Sequence, residues 1–496
     1  MTIQVSRRSA LTSSAALGLL ASFGCDGLSP KPSSAGDLGK LDAVATAQAI
    51  RGGEVSAAEV VGAAIARSIA ADEAVGAVVT PYYEEAREAA ARAPAGAWFG
   101  VPTFIKDLAK VAGRRTTYGS RAFRNFIASD QSPFMDALFA TGLVSLGKSA
   151  SPEFGLTGTT ESLLNGATRN PWNLAHSVGG SSGGAAALVA AGVVPIAHGS
   201  DGGGSIRVPA ASCGVVGLKV SRGRYPLADG PHNYPIEIAV QGCESRTVRD
   251  TAAFVAMLEV EGALPKIGLV AGLSSQRRKI GFFTASPLGG PVDPEVAAVT
   301  VKTAGRLAEL GHQVEEIAPP FHAAVMQDFL IYWGLIAAVT VAQWEDLTGR
   351  KAAYTDFEPF TLGLIEYYEV RKSILPEALE RLRNFAGQYQ AAFQSHDLLL
   401  SPTVAAPAPK IGVLTPSYGL DLLLDRLNDF VVFTPFMNIA GAPAISLPAG
   451  QTSQRLPIGV QLAAAVGDER TLLELAYELE EAQPWPHIAP LKQARR

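Results

Sequence analysis

The most constraining feature of this chain is the stretch of residues 179–219, GGSSGGAAALVAAGVVPIAHGSDGGGSIRVPAASCGVVGLK, in which an apolar run joins two glycine–serine clusters. Residues 185–198 have the pattern of a buried helix that runs into a strand. Residues 206–218 are too apolar for an exposed loop, so we expect the second cluster to pack against the core. Ordering glycine costs backbone entropy, and four glycines around Ser181 and Ser182 therefore need a structural or chemical reason.

Helix and strand patterns alternate along most of the chain. Ser56 stands three residues before Glu59, a spacing typical of a capping box at the start of a helix. GVPTFIKD reads as a short apolar strand that ends in a lysine, and DALFATGLVSLGKS reads as helix, turn and strand. This alternation predicts an α/β sandwich with a largely buried sheet. Residues 320–395 are helical and rich in aromatics, and we expect most of these side chains to pack in the core and some to line a substrate pocket.

Composition excludes several classes of partner and cofactor. The chain has 496 residues, of which 48% are hydrophobic, and its net charge of −5 is spread without long runs. The sequence has no basic stripe and no acidic tail, so we expect neither a nucleic-acid partner nor a membrane-surface partner. Three cysteines form no CxxC pair, and the seven histidines never occur in an HExxH spacing. We therefore expect no metal, and no disulfide framework.

The N-terminus resembles a bacterial export signal of twin-arginine type. Arg7 and Arg8 precede an apolar run, residues 10–24, that is shorter than the roughly 18–20 residues of a membrane-spanning helix. Cys25 ends this run, and a polar segment follows it. We predict a signal at residues 1–25 and a flexible tether at residues 26–39, and hence export to the cell envelope. Cys25 is either a lipid anchor or is removed with the signal; if the signal does not function, the protein is cytoplasmic.

Residues 142–149, GLVSLGKS, match the phosphate-binding pattern GxxxxGK[ST]. A phosphate-binding loop needs a strand before the first glycine and a helix that begins at the lysine. Here the interior Leu143-Val144-Ser145-Leu146 is itself the strand, and Pro152 and Gly155 follow soon after. The context therefore argues against nucleotide binding.

GGSSG, residues 179–183, also matches the nucleophile elbow GxSxG. That turn follows directly on a hydrophobic strand. The preceding residues include Pro171, Asn173 and His176 instead of a clean strand, and His487 lies in a proline-rich tail that makes it a poor base. An α/β-hydrolase site is therefore disfavoured.

Ser205 follows three glycines, Gly202, Gly203 and Gly204. Successive backbone N–H groups without side chains can form a nest of donors for a developing oxyanion. A serine at the end of such a run is well placed to attack a carbonyl carbon.

A nucleophilic serine needs a base, and two candidates follow from the sequence. His198 lies seven residues before Ser205, and this spacing does not exclude it as the base. Lys106 ends the apolar run of residues 101–105, and serine–lysine pairs serve as hydrolytic machinery. A lysine acts as a base only when neutral, so burial must lower its pKa from about 10.4. Asp107 is the next residue, and successive strand residues point to opposite faces, so Asp107 need not keep Lys106 charged.

GVPTFIKD, the block of residues 179–219 and NIAGAPAISLPAG together resemble the amidase signature family over nearly the whole chain, from about residue 40 to 490. The resemblance implies one amidase domain at residues 40–490, with an α/β/α sandwich and a large mixed, twisted sheet surrounded by helices. It implies a cofactor-free hydrolase that cleaves a small-molecule amide through a seryl acyl-enzyme, as a monomer or homodimer. GATRNPWNLAHSVGGSSGG and LPIGVQL are similar to 6-aminohexanoate-cyclic-dimer hydrolases of this family.

The resemblance also assigns roles to residues. Ser205 is implied as the nucleophile, Ser181 as the bridging serine that relays the proton, and Lys106 as the base. The peptide bond between Ser181 and Ser182 is expected to be cis, with Ser182 in a supporting role. The implied oxyanion donors are four successive backbone N–H groups, those of Gly202, Gly203, Gly204 and Ser205. Asp201 and Arg207 are expected to brace this loop.

Two other functions fit the same resemblance. One is an amidotransferase subunit that releases ammonia from glutamine for charged transfer RNA, which the export signal disfavours. The other is an inactive exported binding protein, which the intact Ser205, Ser181 and Lys106 disfavour. A linear, a cyclic or a peptide amide fits the sequence equally well.

Overall fold

The structure is a computed structural model that describes residues 38–92, 95–228, 234–321 and 323–491. The predicted export signal, residues 1–25, lies outside the described residues, as does residues 26–37 of the predicted tether.

The described helices are α1 Ala43–Arg51, α2 Ala57–Val75, α3 Tyr83–Ala90, α4 Pro133–Ala140, α5 Gly183–Ala190, α6 Arg207–Cys213, α7 Val248–Leu258, α8 Pro294–Glu309, α9 Val325–Thr348, α10 Pro359–Arg371, α11 Leu375–Ala391, α12 Leu420–Phe430, α13 Pro435–Ala440 and α14 Glu469–Ala482. The described strands are β1 Val78–Pro81, β2 Pro102–Lys106, β3 Val144–Ser149, β4 Glu161–Ser162, β5 Gly166–Ala167, β6 Arg169–Asn170, β7 Asn173–Ser177, β8 Ile196–Asp201, β9 Val216–Lys219, β10 Val240–Ser245, β11 Lys279–Phe282, β12 Gln313–Glu316, β13 Leu398–Pro402, β14 Ala444–Gln451 and β15 Pro457–Ala464.

Eight of these strands form one mixed sheet in the order β12-β11-β13-β15-β14-β9-β10-β8. β11 pairs in parallel with β12 and β13, and the remaining neighbours in the sheet are antiparallel. Both faces of the central strands are buried, which explains why β13 and β15 read as nearly continuous apolar runs. The predicted large mixed sheet surrounded by helices is therefore confirmed.

Helices cover both faces of the sheet. On one side α5 and α6 pack with α2 and α3 in a core of small apolar side chains. Every residue of α5 is buried, as expected of a helix that is apolar all round. On the other side α7, α8 and α14 pack on the central strands.

A second sheet of three strands, in the order β1-β3-β2, lies beside the edge strand β8 of the large sheet. The backbone N–H of Lys106 in β2 donates to His198 Nδ1 in β8 at 3.2 Å, which ties the two sheets together at one point. β2 is buried along its whole length, as the apolar sequence before Lys106 predicts. This contact places the end of β2 next to the loop that follows β8.

Several local predictions are confirmed. Ser56 and Glu59 form both hydrogen bonds of a capping box at the start of α2. The predicted helix–strand pair in residues 185–198 is present as α5 and β8, and residues 320–395 contain α9, α10 and α11. α9 is long and apolar enough to cross a membrane by composition alone, but half of its most apolar window is buried in the protein.

Residues 142–149 form a strand and not a phosphate-binding loop. β3 contains both Leu146 and Lys148, and the Lys148 side chain is fully buried. The arrangement agrees with the sequence-based argument against nucleotide binding.

The expectation that no strand precedes the glycine–serine cluster is wrong. β7, Asn173–Ser177, does precede it, but it pairs with the two-residue β6 and bridges to Lys410 at His176, and these partners lie outside the large sheet. A nucleophile elbow follows a strand of the main sheet. Because β7 is not part of that sheet, the conclusion that residues 179–183 are not such an elbow is unchanged.

Two helices, α12 and α13, lie between β13 and β14, a segment for which the sequence analysis predicts no helix. Pro435 occupies the first turn of α13, where its missing N–H costs nothing, and Gly441 ends that helix with φ 73°.

Candidate active site

Lys106 lies at the end of β2 with its side chain fully buried. Its Nζ lies 2.8 Å from Ser181 Oγ, 3.0 Å from Ser200 O and 3.0 Å from Ser200 Oγ. Burial lowers the pKa of Lys106 to about 7, although the carboxylates of Asp201 and Glu244 act in the opposite direction. A large share of Lys106 is therefore neutral near neutral pH.

The three oxygen contacts of Lys106 Nζ are compatible with both protonation states of the amine. A neutral amino group has two N–H donors and one lone pair, whereas an ammonium has three donors and no acceptor. In the structure Nζ is placed as donor to Ser181 Oγ, Ser200 O and Ser200 Oγ. Ser200 O can only accept, so a neutral Lys106 keeps one N–H on that carbonyl, and its lone pair can accept a proton from a neighbouring hydroxyl such as that of Ser181.

His198 does not reach Ser205. Its Nδ1 accepts the Lys106 backbone N–H, and its Nε2 lies 2.8 Å from Gln241 Oε1. Nε2 must therefore carry the proton. Burial lowers the pKa of His198 to about 3, against the effect of the Gln241 hydrogen bond, so the ring stays neutral. His198 therefore positions the backbone of Lys106 and is not the base for Ser205, which leaves Lys106 as the remaining candidate.

Asp107 points away from Lys106. Its carboxylate lies 3.5 Å from Lys148 Nζ and accepts hydrogen bonds from the backbone and side chain of Thr117. Asp107 is the first residue of the turn after β2, and its carboxylate is held by Lys148 and Thr117 and not by the amine of Lys106.

The first glycine–serine cluster carries Ser181 into the site. The cis peptide bond is Gly180–Ser181, so the expectation of a cis bond between Ser181 and Ser182 is wrong by one residue. A Cβ at Gly180 would lie 2.4 Å from the carbonyl oxygen of Thr159, so the backbone approaches its neighbour too closely for any other residue.

Ser182 ties the first cluster to the second. Its backbone N–H donates to Ser205 O at 3.0 Å. Its hydroxyl donates to Ser200 O at 3.1 Å and accepts from the Ser200 N–H at 3.2 Å. Ser182 thus fixes both Ser200, which contacts Lys106, and the backbone of Ser205.

Asp201 organises the loop of residues 202–207. Its carboxylate accepts from the amides of Gly204 (2.7 Å) and Ile206 (3.1 Å), and two nitrogens of Arg207 lie at 3.0 Å. Burial alone would raise the pKa of Asp201, but Arg207 holds it well below its usual value. The charged pair is fully buried and holds the loop in one shape.

The structure differs from the sequence-based expectation at Gly204. Its amide donates to Asp201 and is therefore engaged within the loop, which leaves Gly202, Gly203 and Ser205 of the four predicted oxyanion donors. Gly204 has φ 127°, and a Cβ there would lie 2.1 Å from Thr434 Oγ1. Only glycine fits at this position.

Ser205 lies where two cavities meet. The first, cavity A, has a volume of about 380 Å³ and an apolar wall that includes Phe329, Leu330, Phe360, Leu427 and Val431. The second, cavity B, has a volume of about 360 Å³ and is lined by Ser181, Ser200, Gln241, Tyr332 and Ile336. Gly155, Leu156, Ser205 and Trp333 line both. Ser205 as a whole residue is 9% exposed, and it lines both cavities, so a substrate can reach it from either one.

Sequence reasoning missed Ser200, and it placed Trp333 only within the aromatic segment of residues 320–395, of which some side chains were expected to line a pocket. Ser200 could have been found, because residues 198 and 200 point to the same face of β8 and that face meets Lys106. Trp333 stands in an aromatic helix far along the chain, and no local signal connects it to Ser205. Among the described residues, no group of three or more His, Cys, Asp or Glu could hold a metal ion.

Comparison with known proteins gives consistent matches. The family model described as Amidase matches residues 59–473. A putative amidase AmiC of Mycobacterium tuberculosis is 46% identical over 457 residues, covering 91% of this chain and 96% of the relative. The 6-aminohexanoate-cyclic-dimer hydrolase of Pseudomonas sp. is 37% identical, covering 90% of this chain and 95% of that one.

Among solved structures, a 6-aminohexanoate cyclic dimer hydrolase complexed with substrate superposes with a TM-score of 0.85 at 34% identity. The match covers 92% of this chain and 99% of that one. The similarity in sequence and in structure therefore extends over nearly all of both proteins.

Proposed function

The chain belongs to the amidase signature family of amide hydrolases, and from that premise we propose that it cleaves a carboxylic amide through a seryl acyl-enzyme. Ser205 is the nucleophile, Ser181 the proton relay and Lys106 the base. The observation that carries this proposal is the 2.8 Å contact between Ser181 Oγ and the fully buried amine of Lys106. A buried, neutral lysine beside a serine hydroxyl is an arrangement that can accept a proton.

In the first half-reaction Ser205 Oγ attacks the carbonyl carbon of the amide. Its proton passes to Ser181 Oγ as the Ser181 proton passes to the lone pair of Lys106. The C=O electron pair moves onto oxygen, and the backbone N–H groups of Gly202, Gly203 and Ser205 are the available donors for that oxyanion. The C–N bond then breaks, the nitrogen takes a proton from Ser181, and Lys106 returns one to Ser181.

In the second half-reaction water replaces the amine. Water attacks the ester carbon and gives its proton to Ser181, with Lys106 again as the final acceptor. The C–Oγ bond breaks, Ser205 Oγ takes back a proton, and the carboxylic acid leaves. The net reaction is amide plus water to acid plus amine.

The test is covalent labelling of the serine. Purified protein is treated with a fluorophosphonate and its intact mass is measured, beside Ser205→Ala and Lys106→Ala. We expect one adduct that is absent in Ser205→Ala and forms slowly in Lys106→Ala. The matched control is Ser68→Ala, a buried serine bonded to Tyr83, which should label like the wild type. An adduct that persists in Ser205→Ala would refute the assignment of the nucleophile.

Glutamine is the substrate that tests the alternative of an amidotransferase subunit. Release of ammonia from glutamine at a rate above that from simple amides would favour that role. Turnover of simple amides without glutamine hydrolysis would favour the amidase proposed here.

We further propose that the protein is exported, on the evidence of its N-terminal sequence alone. The paired Arg7 and Arg8 and the apolar run before Cys25 support it. Cells that express the full chain and its Cys25→Ala variant are labelled with a radioactive fatty acid. Label that depends on Cys25 would establish the lipid anchor, and export without label would indicate that Cys25 is removed with the signal.

A further inference from the structure

The two cavities at Ser205 differ in the catalytic groups that they contain. Ser181 and Ser200 line cavity B and are absent from the wall of cavity A among the described residues. Trp333 lines both cavities, and its Nε1 donates to Leu156 O at 3.1 Å, which fixes the ring in place. A substrate bound at Ser205 therefore places one of its two substituents in cavity B, beside Ser181, and the other in cavity A, away from Ser181.

The path of the proton orients the substrate. When the C–N bond breaks, its electron pair goes to nitrogen, and nitrogen must receive a proton. Under the proposed function that proton comes from Ser181 Oγ, so the nitrogen must face Ser181. The nitrogen and its substituent then occupy cavity B, and the substituent of the carbonyl carbon occupies cavity A.

Cavity B is too large for ammonia. One water occupies about 30 Å³ of liquid, and ammonia is of similar size. A volume of about 360 Å³ thus accommodates a substituent of many atoms. Its wall includes apolar and aromatic side chains, among them Tyr332, Ile336 and Ile238, which favour an organic group over a cluster of water.

Cavity A favours an uncharged, apolar group. Its described lining residues include no charged side chain, and Phe329 and Trp333 stack with their ring centres 5.3 Å apart. A charged acyl group, such as the zwitterionic end of glutamine, would lose its hydration there without gaining an oppositely charged partner among the described lining residues.

From these observations we infer that the substrate is a secondary amide, with an uncharged apolar acyl group in cavity A and a substituted amine in cavity B. The inference rests on the proposed function, because Ser181 must be the proton donor. Leu427 in the wall of cavity A and Ala239 in the wall of cavity B are then residues that determine specificity for the acyl and the amine part, respectively.

The experiment compares three probe amides. Octananilide has a large group on both sides, acetanilide has a small acyl group, and octanamide has no substituent on nitrogen. Leu427→Trp narrows cavity A. Ala239→Phe narrows cavity B close to the reacting atoms, since its Cβ would lie 3.7 Å from a Cβ at Gly202. Val301→Phe, at an exposed position of α8 outside both cavities, is the matched control.

We expect Leu427→Trp to lower the kcat/KM ratio of octananilide to acetanilide about tenfold, because the long acyl group loses its space. We expect Ala239→Phe to lower the ratio of octananilide to octanamide about tenfold, because the anilide ring loses its space. Val301→Phe should leave both ratios as in the wild type.

The outcomes separate the two proposals. If the variants change the opposite ratios, or change neither while the wild type hydrolyses the probes, the orientation is wrong and the amidase function stands. If the folded wild type prefers octanamide to octananilide, the secondary-amide inference is wrong. If the wild type hydrolyses no probe and takes up no fluorophosphonate, the proposed function fails, and this inference fails with it.

Discussion

Lys106 and Lys148 lie on neighbouring strands, β2 and β3, and both side chains are fully buried. Both also follow apolar runs, and in the sequence Lys148 even has the more recognisable motif. Their partners differ. Lys106 Nζ contacts hydroxyl and carbonyl oxygens of Ser181 and Ser200, whereas Lys148 Nζ lies 3.5 Å from the carboxylate of Asp107 and donates to the carbonyl of Ala109.

The difference shows that the partner, and not burial or motif, decides what a buried lysine does. Asp107 gives Lys148 a charge to neutralise, and the pair has a structural role between the strand and the loop that begins at Asp107. Lys106 has no carboxylate among its hydrogen-bonding partners, so its charge is disfavoured and its lone pair can serve as a base.

The largest expected effect is the loss of catalysis on removal of Lys106. Lys106→Met should lower kcat by about 10³-fold, because Ser181 loses its proton acceptor while the fold keeps a side chain of similar length. Steady-state kinetics on a secondary amide measures this. Lys148→Met, measured on the folded fraction, should retain far more activity than Lys106→Met. Equal losses of kcat in the two variants would contradict the assignment of Lys106 alone as the base.

The second largest effect is on stability, and here the variant of Lys148 is the one that loses most. Lys148→Met should lower the free energy of unfolding by about 3–5 kcal/mol, because it leaves the Asp107 carboxylate buried without its cation. Urea denaturation followed by circular dichroism gives the value. The double variant Lys148→Met/Asp107→Asn should recover part of the loss, whereas no recovery would mean that the Asp107 pair is not the cause.

The pH dependence sharpens the comparison further. The pKa of Lys106 is lowered to about 7, and Lys106 must be neutral to act, so kcat/KM should rise with pH through a midpoint near 7. His198, with a pKa of about 3, is neutral throughout and contributes no second step near neutral pH. A pH–rate profile with no rise between pH 6 and 8 would contradict the role of Lys106.

The same shift predicts a slope in stability. Between about pH 7 and the lysine reference value of 10.5, the unfolded chain binds a proton at Lys106 that the folded chain does not. Since stability rises with pH wherever the unfolded state binds more protons, the Lys106 contribution to unfolding free energy should increase across this window. Lys106→Met should remove that part of the slope, and a slope unchanged in this variant would show that Lys106 is charged in the folded protein.

The smallest expected effect comes from Ser200→Ala. It removes one hydroxyl contact of Lys106 and keeps the Ser200 carbonyl and Ser181, so kcat should fall about tenfold or less, the equivalent of one hydrogen bond. Ser145→Ala on β3 is the matched control. A loss as large as that of Lys106→Met would indicate that Ser200 has a direct role in the proton transfer.

Local patterns predicted much of the fold and part of the site. An apolar run ending in Lys106 predicted a buried strand, and the alanine-rich run after Ser182 predicted the buried helix α5, because burial and period follow directly from composition. Helix α12 was missed although LDLLLDRLNDF has the apolar–polar period of an amphipathic helix, and the six-residue α13 is too short to show such a period.

The rest of the site depends on contacts between distant parts of the chain. The engagement of the Gly204 amide by Asp201 and the position of the cis bond at Gly180–Ser181 are set by the packing of a loop on its neighbours, which spacing in the sequence does not encode. Trp333 reaches Ser205 only through tertiary structure. The sequence therefore predicted which residues form the site better than it predicted their hydrogen bonds and backbone geometry.

The loop around Asp201 lines both cavities at Ser205, whereas the helical part of the wall of cavity A comes from a separate part of the chain. The reacting groups are held on β2, β8 and the loops beside them, while helices α9, α10 and α12 supply many of the large apolar side chains in the wall of cavity A. A protein engineer can therefore randomise the wall positions in these helices and screen for new amides while leaving the buried Asp201–Arg207 pair untouched. Libraries built in this way should lose few members to misfolding, because the sampled side chains border a cavity instead of the central sheet.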